Sequence, residues 1–411
     1  MHVLLIAPSA PPKNSPEAIQ VGRFLQALDP AVRVTLVTTP IVAGWQQEDF
    51  SLAIHRPTVN VIVPELPFHV LTQRVLANRR LSFLQRPDSD FWLSWFANYI
   101  MRRLPDTPNV IYSRSAPFSA AMLARRLKSM TARPWLMHLS DPWSGSPYRQ
   151  LSDRRSKKDR AQEAACFADA DMVTLTTKGQ ADYYRNRYPK YVKRVSVTPN
   201  MMPIMHSPNN ETRHEGPLRL VYTGALYGER NPATLLKALK LVQDAAADDA
   251  AQIQLDFYGN MPPGIAAKIS ETPGCVVHGP VPFAVVSEKQ AQAAVLVTIE
   301  PSGKHPLLLH FMPSKNLDYI ATGKPILAIT PKGSETDRFC NLGHGWAFDP
   351  SDATLVADKL SELVRDYKAG KTLKERKNLN GSPYLAQAVT DGITESLYKL
   401  ANSSTIRGHE E

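Results

Sequence analysis

Residues 312–329, MPSKNLDYIATGKPILAI, bring a serine, a lysine and a carboxylate together at the start of a predicted helix. The first backbone amides of a helix lack intrahelical partners and carry partial positive charge, so a phosphate can bind beside Ser314 and Lys315. Asp318 follows one turn later on the same face. This carboxylate would repel a phosphate unless it binds a hydroxyl pair beyond it, such as the 2′ and 3′ oxygens of a nucleotide ribose. The alternative is that Ser314 only caps the helix and Asp318 only offsets its dipole.

A second carboxylate, Asp141, follows a buried apolar strand in MHLSDPWSGSPY. At the carboxyl end of a strand this side chain can accept a proton from a substrate hydroxyl or orient that hydroxyl. It can equally form a turn before the following proline. The loop at residues 9–20 follows the first predicted strand and adds Lys13 and Ser15. We expect this loop to border the same site.

Three familiar binding motifs are excluded by the spacing of their residues or by the surrounding sequence. The first glycine after the opening strand is Gly22, already inside the next helix, so the glycine pattern of NAD-binding folds is absent. Gly370-Lys371-Thr372 resembles the end of a phosphate-binding P-loop, but Arg365 replaces the upstream glycine and we predict a charged linker there. Asp88-Ser89-Asp90 resembles a metal-binding motif, yet it precedes FWLSWFANYIMRRL, where an aspartate is expected to cap a helix. We therefore expect neither NAD nor a metal cofactor.

The elements that must position these residues alternate between short β-rich runs and helical patterns, which is typical of α/β domains with mostly parallel sheets. The alternation stops at VTPNMMPIMHSPNNETRHEGP and then restarts. We predict two Rossmann-like domains facing a central cleft, with ligands bound outside the carboxyl ends of the strands. The predicted segments are an N-terminal domain at 1–199, a linker at 200–217, a C-terminal domain at 218–382, and a helix and tail at 383–411, for which crossing back to the first domain is one option.

Length, charge and cysteine spacing restrict the class to which this protein can belong. With 411 residues the chain is long enough for two domains with separate cores. A formal net charge of +10 favours anionic partners such as phosphates, nucleic acid or an anionic membrane surface. The three cysteines, Cys166, Cys275 and Cys340, lack zinc or disulfide spacing, so we expect buried thiols. The opening MHVLLIAPSAPP has no basic segment before its apolar run, which predicts a first strand rather than a signal peptide, and a cytoplasmic protein.

Most of the chain, and residues 218–350 above all, resembles the GT-B glycosyltransferases, specifically glycosyltransferase family 4. The family signature is two glutamates separated by seven residues at the start of the donor-binding helix, and this frame falls on His310 and Asp318. Pro313-Ser314-Lys315 through Asp318-Tyr319 is similar to the PSK-x-x-D/E-Y motif of one branch. The resemblance implies that Asp318 contacts the donor ribose. It also places His310 where family members contact hydroxyls of the donor sugar.

The resemblance also implies where the donor diphosphate and base bind. In family members an arginine follows the glycine after the first strand of the donor domain, and a lysine lies five positions on. Here Ala225 follows Gly224, Arg230 occupies the lysine position, and Lys315 is our candidate for the missing cation. Such cations stabilise the negative charge that develops on the diphosphate as the sugar bond breaks. The alternative for Arg230 is a solvated loop residue. The base is expected against the backbone of two strand ends, at Tyr258, Gly259, Gly279 and Val281.

The function implied by the resemblance is a metal-independent glycosyltransferase of hexosyltransferase type, with Asp141, Arg230 and Lys315 as catalytic candidates. It moves a sugar with retention from a nucleoside diphosphate sugar to a saccharide or polyprenyl-linked saccharide, in surface polysaccharide synthesis. The N-terminal domain is then the acceptor side and the C-terminal domain the donor side. Because His310 and Ala225 depart from the signature, a catalytically inactive nucleotide- or sugar-binding module is the alternative.

Residues 68–103 interleave arginines with Leu, Phe and Trp. Such a segment can lie on an anionic membrane, with its apolar side chains buried and its cations at phosphates. A lipid-linked acceptor would make that contact useful and would associate the cytoplasmic protein with the inner face of the cell membrane. Packed helices with solvated arginines are the alternative. Nucleic acid is not expected as a partner, because no recognised binding motif organises these charges.

Overall fold

The structure is a computed structural model that describes residues 1–42, 47–76, 87–149, 152–203, 216–250, 252–303, 305–374 and 378–407. The chain divides into two compact units, one formed by residues 1–201 with 382–411 and the other by residues 202–381. Each unit has its own parallel sheet and its own hydrophobic core. The predicted linker falls largely on residues 204–215, which lie outside the described ranges.

Within the described residues, the first unit forms a seven-stranded parallel sheet. Its strands are β1 (His2–Ile6), β2 (Arg33–Val37), β3 (Val59–Ile62), β4 (Val110–Ser115), β5 (Trp135–Leu139), β6 (Met172–Leu175) and β7 (Val195–Val197). Their order in the sheet is β3-β2-β1-β4-β5-β6-β7. Every residue of β1 is buried, as is typical of a parallel strand covered on both faces.

The described part of the second unit forms a six-stranded parallel sheet. Its strands are β8 (Leu218–Thr223), β9 (Ile253–Tyr258), β10 (Cys275–Gly279), β11 (Val295–Ile299), β12 (Ile326–Ile329) and β13 (Gly345–Phe348). Their order is β10-β9-β8-β11-β12-β13. The chain builds outward from β8 in one direction and then from β11 in the other, so the strand order reverses between these two neighbours. Ligands of open α/β sheets bind at the carboxyl ends of strands beside such a reversal.

Helices connect and cover the strands. They are α1 (Pro16–Ala27), α2 (His69–Leu76), α3 (Ala97–Met101), α4 (Ser119–Thr131), α5 (Asp153–Asp169), α6 (Lys178–Arg187), α7 (Ala233–Ala245), α8 (Ala247–Ala250), α9 (Pro263–Ser270), α10 (Phe283–Gln292), α11 (Lys315–Ala321), α12 (Glu335–Phe339), α13 (Ala353–Lys368) and α14 (Ala386–Arg407). In the described part of the chain, none of them is both long and apolar enough to cross a membrane.

The last helix, α14, packs on the first sheet. Its side chains Val389, Ile393 and Leu397 belong to the same buried cluster as Val3 and Leu5 of β1. The C-terminal segment is thus part of the core of the first unit. Burying an aliphatic side chain of this size contributes about 1.5–3 kcal/mol, so this apolar face anchors the helix to the sheet.

Helix α13 lies directly before Gly370-Lys371-Thr372, where a charged linker is predicted. Residues 353–368 form this helix, and its Val356, Leu360 and Leu363 pack in the second core. These apolar positions recur every three or four residues among charged ones, which is the helical period. Gly370 follows the end of the helix with φ +67°, a conformation that favours glycine.

Candidate functional site

The candidate site lies at the carboxyl ends of β8 and β11. The loop after β8 carries Gly224 and Arg230, and the segment after β11 leads to α11 and Lys315. Tyr319 of α11 joins the two strands, because its buried hydroxyl accepts the backbone N–H of Thr223 at 3.0 Å and donates to the carbonyl of Val297 at 3.1 Å. The start of α11 is therefore fixed against the end of β8.

Two glycines shape the strand ends. Gly224 and Gly259 have φ values of +115° and +130°, where other residues are strained. A Cβ atom on Gly259 would lie 2.3 Å from the carbonyl oxygen of Gly224, so no larger residue fits. Backbone bonds from Gly224 N–H to Tyr258 (2.8 Å) and from Gly259 N–H to Gly279 (2.8 Å) join the three loops.

Lys315 reaches across to the loop after β8. Its ammonium donates to the carbonyl of Thr223 at 3.0 Å and lies 3.8 Å from the centroid of the Tyr222 ring. The same nitrogen is 3.8 Å from the point where a Cβ atom of Gly224 would be. The next residue is Ala225, where the resemblance implied that a cation is missing. The structure thus brings Lys315 beside that position.

Arg230 supplies the second positive charge. Its guanidinium lies over the ring of Tyr227, 4.6 Å from the centroid. It is partly buried and acts electrostatically on Lys315, so it is not a fully solvated loop residue. Burial, and then the positive charge of Arg230, hold the pKa of Lys315 well below its usual range, while Glu300 opposes that shift. The two positive charges therefore act on one another, and in the described residues no carboxylate makes a direct ion pair with Lys315.

The predicted sugar- and ribose-contacting residues lie on the segment between β11 and β12. His310 ends a short 3-10 turn over Pro306–His310, and Asp318 is partly buried in the first turn of α11. Ser314 precedes this seven-residue helix with helical backbone angles and makes no side-chain capping bond. The hydroxyl of Ser314 therefore does not cap α11. Because α11 is so short, the cation pair is the stronger argument for an anion site.

At the other side of β8, the ends of β9 and β10 are joined by an aromatic pair. The rings of Tyr258 and His278 stack with centroids 4.3 Å apart and planes 4° apart. His278 also hydrogen-bonds the buried carboxylate of Asp256 at 2.8 Å. Val281 follows in the connection to α10 and is partly buried. The sequence placed the glycines and Val281 here, but it contained no signal for this stack.

Asp141 belongs to the first unit and is exposed after β5. Its loop is held by Glu163, whose fully buried carboxylate accepts the backbone N–H of Ser144 at 2.6 Å and its hydroxyl at 2.9 Å. The hydroxyl of Tyr184 bridges Glu163 and the N–H of Trp143. Burial raises the pKa of Glu163, and the nearby Arg187 opposes that shift. The loop is thus rigidly built, although no sequence signal identified Glu163.

The loop after β1 uses its polar residues internally. Lys13 is buried and donates to the hydroxyl of Thr39 at 2.7 Å and to the carbonyl of Pro8. Burial lowers the pKa of Lys13 to about 8, and the negative charge of Asp90 opposes that shift. Ser15 caps α1 by accepting the N–H of Ala18 at 3.2 Å. These contacts tie the loop to the sheet and the helix.

The Asp88-Ser89-Asp90 segment differs from the capping prediction. Asp90 precedes a 3-10 helix at Phe91–Phe96 but makes no side-chain cap bond. Asp88 instead accepts the backbone N–H groups of Asp90 and Ser119, at 3.0 and 2.9 Å. In the ranges that the structure describes, no group of three or more His, Cys, Asp or Glu side chains is arranged to hold a metal ion.

Comparison with known proteins gives matches only in structure. No family model matches the chain, and no curated protein matches it. HepE from Anabaena, solved in complex with UDP, is 14% identical with a TM-score of 0.65, and the match covers 97% of this chain and 100% of HepE. A trehalose-6-phosphate protein from E. coli, solved with UDP-2-fluoro glucose, is 10% identical with a TM-score of 0.62, covering 97% and 99%. The lipopolysaccharide outer core galactosyltransferase WaaB is 12% identical with a TM-score of 0.57, covering 97% and 99%.

At these identities the likeness shows the fold. The α/β class and the pair of Rossmann-like units with parallel sheets, predicted from the sequence, are confirmed. Within this fold Arg230 and Lys315 lie on the segments that follow β8 and β11. The chain has the GT-B fold.

Proposed function

We propose that this protein is a glycosyltransferase that takes its sugar from a nucleoside diphosphate sugar. The observation that carries the proposal is the position of Lys315 at the carboxyl end of β8, beside Gly224, where the positive charge of Arg230 also acts on it. The structural neighbour HepE has been solved with UDP and with UDP-glucose. This supports uridine nucleotides as the first donors to test.

Transfer begins when the bond between the anomeric carbon and the diphosphate oxygen breaks. The electron pair stays on that oxygen, so negative charge grows on the leaving diphosphate. Fixed cations aimed at this charge lower the barrier. Within the described part of the chain, Thr223 is the only hydrogen-bond partner of the Lys315 amine, which leaves two N–H donors for phosphate oxygens. The planar guanidinium of Arg230 can bind two phosphate oxygens at once.

The remaining contacts to the sugar donor come from residues at or after the ends of β9, β10 and β11. We assign the ribose hydroxyls to Asp318 and the hydroxyls of the donor sugar to His310. The base binds against the backbone between β9 and α10, at Gly259, Gly279 and Val281, beside the Tyr258 ring. Glycine at the first two positions lets a planar ring approach the main chain closely. No metal is needed in this scheme, because the two cations neutralise the diphosphate.

The acceptor side of the proposal rests on the first unit. Asp141 is exposed on a loop that Glu163 holds in place, so its carboxylate can orient an acceptor hydroxyl or take its proton. We propose transfer with retention to a saccharide or polyprenyl-linked saccharide, in surface polysaccharide synthesis in the cytoplasm. In a retaining reaction on one face of the sugar, the leaving phosphate helps to accept the proton.

A lipid-linked acceptor is supported by the exposed face of α2 and the residue before it. Phe68 is 85% exposed and Leu71 is 64% exposed, and Arg74 lies on the same short helix. Apolar side chains next to a cation suit the surface of an anionic bilayer. Of the other arginines of the predicted membrane segment at 68–103, those at 77–86 lie outside the described residues, whereas Arg102 and Arg103 are exposed after α3. We propose a peripheral contact through Phe68 and Leu71.

The second candidate is a binding module without turnover. Ala225 supplies no side-chain charge, and His310 replaces a carboxylate that the resemblance implies for the donor sugar. Lys315 compensates for the first change by its position beside Gly224. The second change remains, because histidine at position 310 is not a carboxylate. Binding of a nucleotide without cleavage of its sugar is therefore the outcome that favours the module.

The test is hydrolysis and binding of UDP-, GDP- and dTDP-sugars by the purified protein, with Arg230→Ala and Asp318→Ala beside the wild type. We expect sugar release with one donor base, and loss of that release in both variants. Arg338→Ala is the matched control, since Arg338 is exposed in the same unit and pairs only with Glu335 among the ion pairs described. Tight nucleotide binding without sugar release identifies the binding module. If the protein binds none of the three nucleotides, both the glycosyltransferase and the nucleotide-binding module are refuted.

A further inference from the structure

Glu17 joins the first turn of α1 to the carboxyl ends of β4 and β5. Its side chain is 11% exposed, and one carboxylate oxygen accepts the guanidinium Nε–H of Arg114 at 2.7 Å. The other oxygen accepts the hydroxyl of Ser140, the residue directly before Asp141. These partners lie 97 and 123 positions away in the sequence. One carboxylate thus connects three elements that only the fold brings together.

These residues lie where the strand order of the first sheet reverses. The chain builds outward from β1 to β2 and β3, and then from β4 to β5 on the other side of β1. Glu17 follows β1, Arg114 belongs to β4, and Ser140 follows β5. Ligands of open α/β sheets bind at the carboxyl ends of strands beside such a reversal. Glu17 and Ser140 therefore lie at the edge of the first sheet where a ligand is expected.

Arg114 sets the position of the Glu17 carboxylate. The guanidinium side chain is 1% exposed, and its Nη1 donates to the hydroxyl of Tyr112 at 2.9 Å. A buried guanidinium is costly without an anion, and among the ion pairs of the described residues Glu17 is its partner. The ion pair uses one carboxylate oxygen. The second oxygen is directed at Ser140, so Glu17 does more than neutralise Arg114.

The three polar groups of Ser140 bind three different elements. Its backbone N–H donates to the carbonyl of Ser115, at the end of β4, at 2.6 Å. Its carbonyl accepts the hydroxyl of Thr176, which follows β6, at 3.1 Å. Its own hydroxyl donates to Glu17 of α1. The backbone that leads into the next residue is therefore held from three directions.

Asp141 lies between two positions that buried carboxylates hold. Ser140 is bound by Glu17, and Ser144 is bound by Glu163 through its N–H and its hydroxyl. The proline after Asp141 restricts the backbone of Asp141 as well, because a residue before proline favours an extended conformation. A group that orients a substrate must stay within about 0.5 Å of its productive position. The contacts around Asp141 meet that need on both sides.

We propose that Glu17 is a positioning residue of the acceptor site: its carboxylate, set by Arg114, holds Ser140 and thereby places Asp141 for the acceptor hydroxyl. This inference rests on the proposed function, which supplies the role of Asp141. Glu17 acts on the reaction through Ser140 and Asp141. Its removal should therefore affect the acceptor side of the reaction and leave donor binding, which is assigned to the second unit, unchanged.

The first test measures the opening of the loop after β5 without any nucleotide. Hydrogen exchange of the full-length protein is followed by mass spectrometry in peptides that cover residues 139–144, where the N–H groups of Ser140 and Ser144 are hydrogen-bonded. Ser140→Ala removes the bond to Glu17 and leaves the Glu17–Arg114 pair intact. Because loss of a hydrogen bond to a charged group changes an equilibrium constant by about tenfold or more, we expect about tenfold faster exchange in these peptides.

Glu17→Gln tests the carboxylate itself, since it keeps the shape and removes the charge. We expect it to speed exchange at least as much as Ser140→Ala does. If it does not fold, because Arg114 is left buried without its anion, Ser140→Ala decides alone. Ser129→Ala, on the exposed face of α4, is the matched control and should leave this loop unchanged. Exchange equal to that of the wild type in Ser140→Ala, or in a folded Glu17→Gln, overturns the proposal.

The second test asks whether Ser140 acts on the reaction through Asp141. Sugar release is measured with whichever of the UDP-, GDP- and dTDP-sugars the protein cleaves. In this hydrolysis a water oxygen bonds to the anomeric carbon, the diphosphate leaves with the electron pair, and the water proton passes to Asp141 or to the leaving phosphate. We expect Ser140→Ala to lower kcat about tenfold and to leave the KM for the donor unchanged.

The same substitution in an Asp141→Asn background distinguishes positioning from general damage. If Ser140 acts through Asp141, Ser140→Ala should change the kcat of Asp141→Asn by less than about twofold, because coupled residues are not additive. An equal loss of kcat in both backgrounds shows a merely structural role and overturns the proposal.

The two tests also separate this proposal from the proposed function. If the protein cleaves none of the donors while exchange in the loop rises as expected, the proposed function fails and the hold of Glu17 on the loop stands. If sugar is released and both Ser140→Ala and Asp141→Asn leave kcat unchanged, the proposed function survives and the positioning role of Glu17 is overturned.

Discussion

Replacement of Lys315 by methionine separates two opposing effects of its amine, which favours diphosphate binding and destabilises the protein without ligand. Methionine has a similar length and no charge, so Lys315→Met keeps the packing over Tyr222 and loses the N–H donors. Hydrogen bonds to charged groups contribute about 1.5–3 kcal/mol, and 1.4 kcal/mol is a tenfold change in Kd. We therefore expect the Kd for UDP to rise about 10- to 100-fold.

The same substitution should stabilise the protein without ligand. Burial and the charge of Arg230 make the Lys315 ammonium unfavourable in the folded state, as its lowered pKa shows. Replacing this charge by an apolar side chain of similar length removes the cost of desolvating the ammonium group. Because 1 kcal/mol shifts Tm by about 2–4 °C in domains of about 150–250 residues, we expect Tm to rise by several degrees.

The gain in Tm should depend on pH with a defined sign. The unfolded chain binds the Lys315 proton more tightly than the folded chain does, because the folded pKa is the lower of the two. Between the folded pKa and the usual value of 10.5, the wild type gains stability as the pH rises. Below the folded pKa the penalty is fully present. The difference in Tm between Lys315→Met and the wild type should therefore shrink as the pH is raised.

Calorimetry with UDP and thermal unfolding at several pH values check both effects. Lys371→Met is the matched control, because Lys371 is 67% exposed in the same unit and pairs with Asp366. It should leave UDP affinity and Tm unchanged. Unchanged UDP affinity in Lys315→Met would refute the placement of the diphosphate at this amine. A fall in Tm would show that the bond to Thr223 outweighs the cost of burying the charge.

Three further outcomes are expected. Gly259→Ala should weaken UDP binding strongly and lower the urea midpoint of unfolding, since the added methyl group would lie 2.3 Å from the carbonyl oxygen of Gly224. Gly279→Ala should add only backbone strain of about 1–2 kcal/mol, because no atom of the described residues lies within 4 Å of the point where its Cβ atom would be. Phe68→Ser with Leu71→Ser should reduce co-sedimentation with vesicles of anionic lipid and leave donor hydrolysis intact; unchanged co-sedimentation contradicts the membrane contact. Treatment with EDTA should leave sugar release unchanged, and loss of release that Mg²⁺ restores would contradict a metal-independent reaction.

The order of strands and helices could be predicted because buried parallel strands such as β1 are short continuous apolar runs. The edge strands β3 and β13 escaped prediction, since β3 has one buried residue and β13 mixes glycine with partly buried aromatics. Helix α13 was missed for another reason. Its apolar stripe is interrupted by Lys, Asp and Glu, and only packing against α7 shows which face is buried.

The candidate site was predictable only where residues are close in sequence. Ser314, Lys315 and Asp318 could be grouped because they share one turn. The contact of Lys315 with Thr223 joins residues 92 positions apart, and it depends on β8 and β11 being neighbours. Glu300 was missed because its burial depends on hydroxyls 30 and 36 positions away. A glutamate at a strand end gives no sign of such partners.

The hydrogen bonds around the two cations explain how the site can exist before a ligand arrives. Lys315 and Arg230 repel one another, so their charges alone would push the loop after β8 away from α11. The bonds of Tyr319 to Thr223 and Val297 are made by neutral groups, and they resist that repulsion without neutralising it. A diphosphate placed between the cations turns the repulsion into attraction. The structural cost is thus carried by neutral groups, and the Lys315 amine keeps N–H donors for a diphosphate.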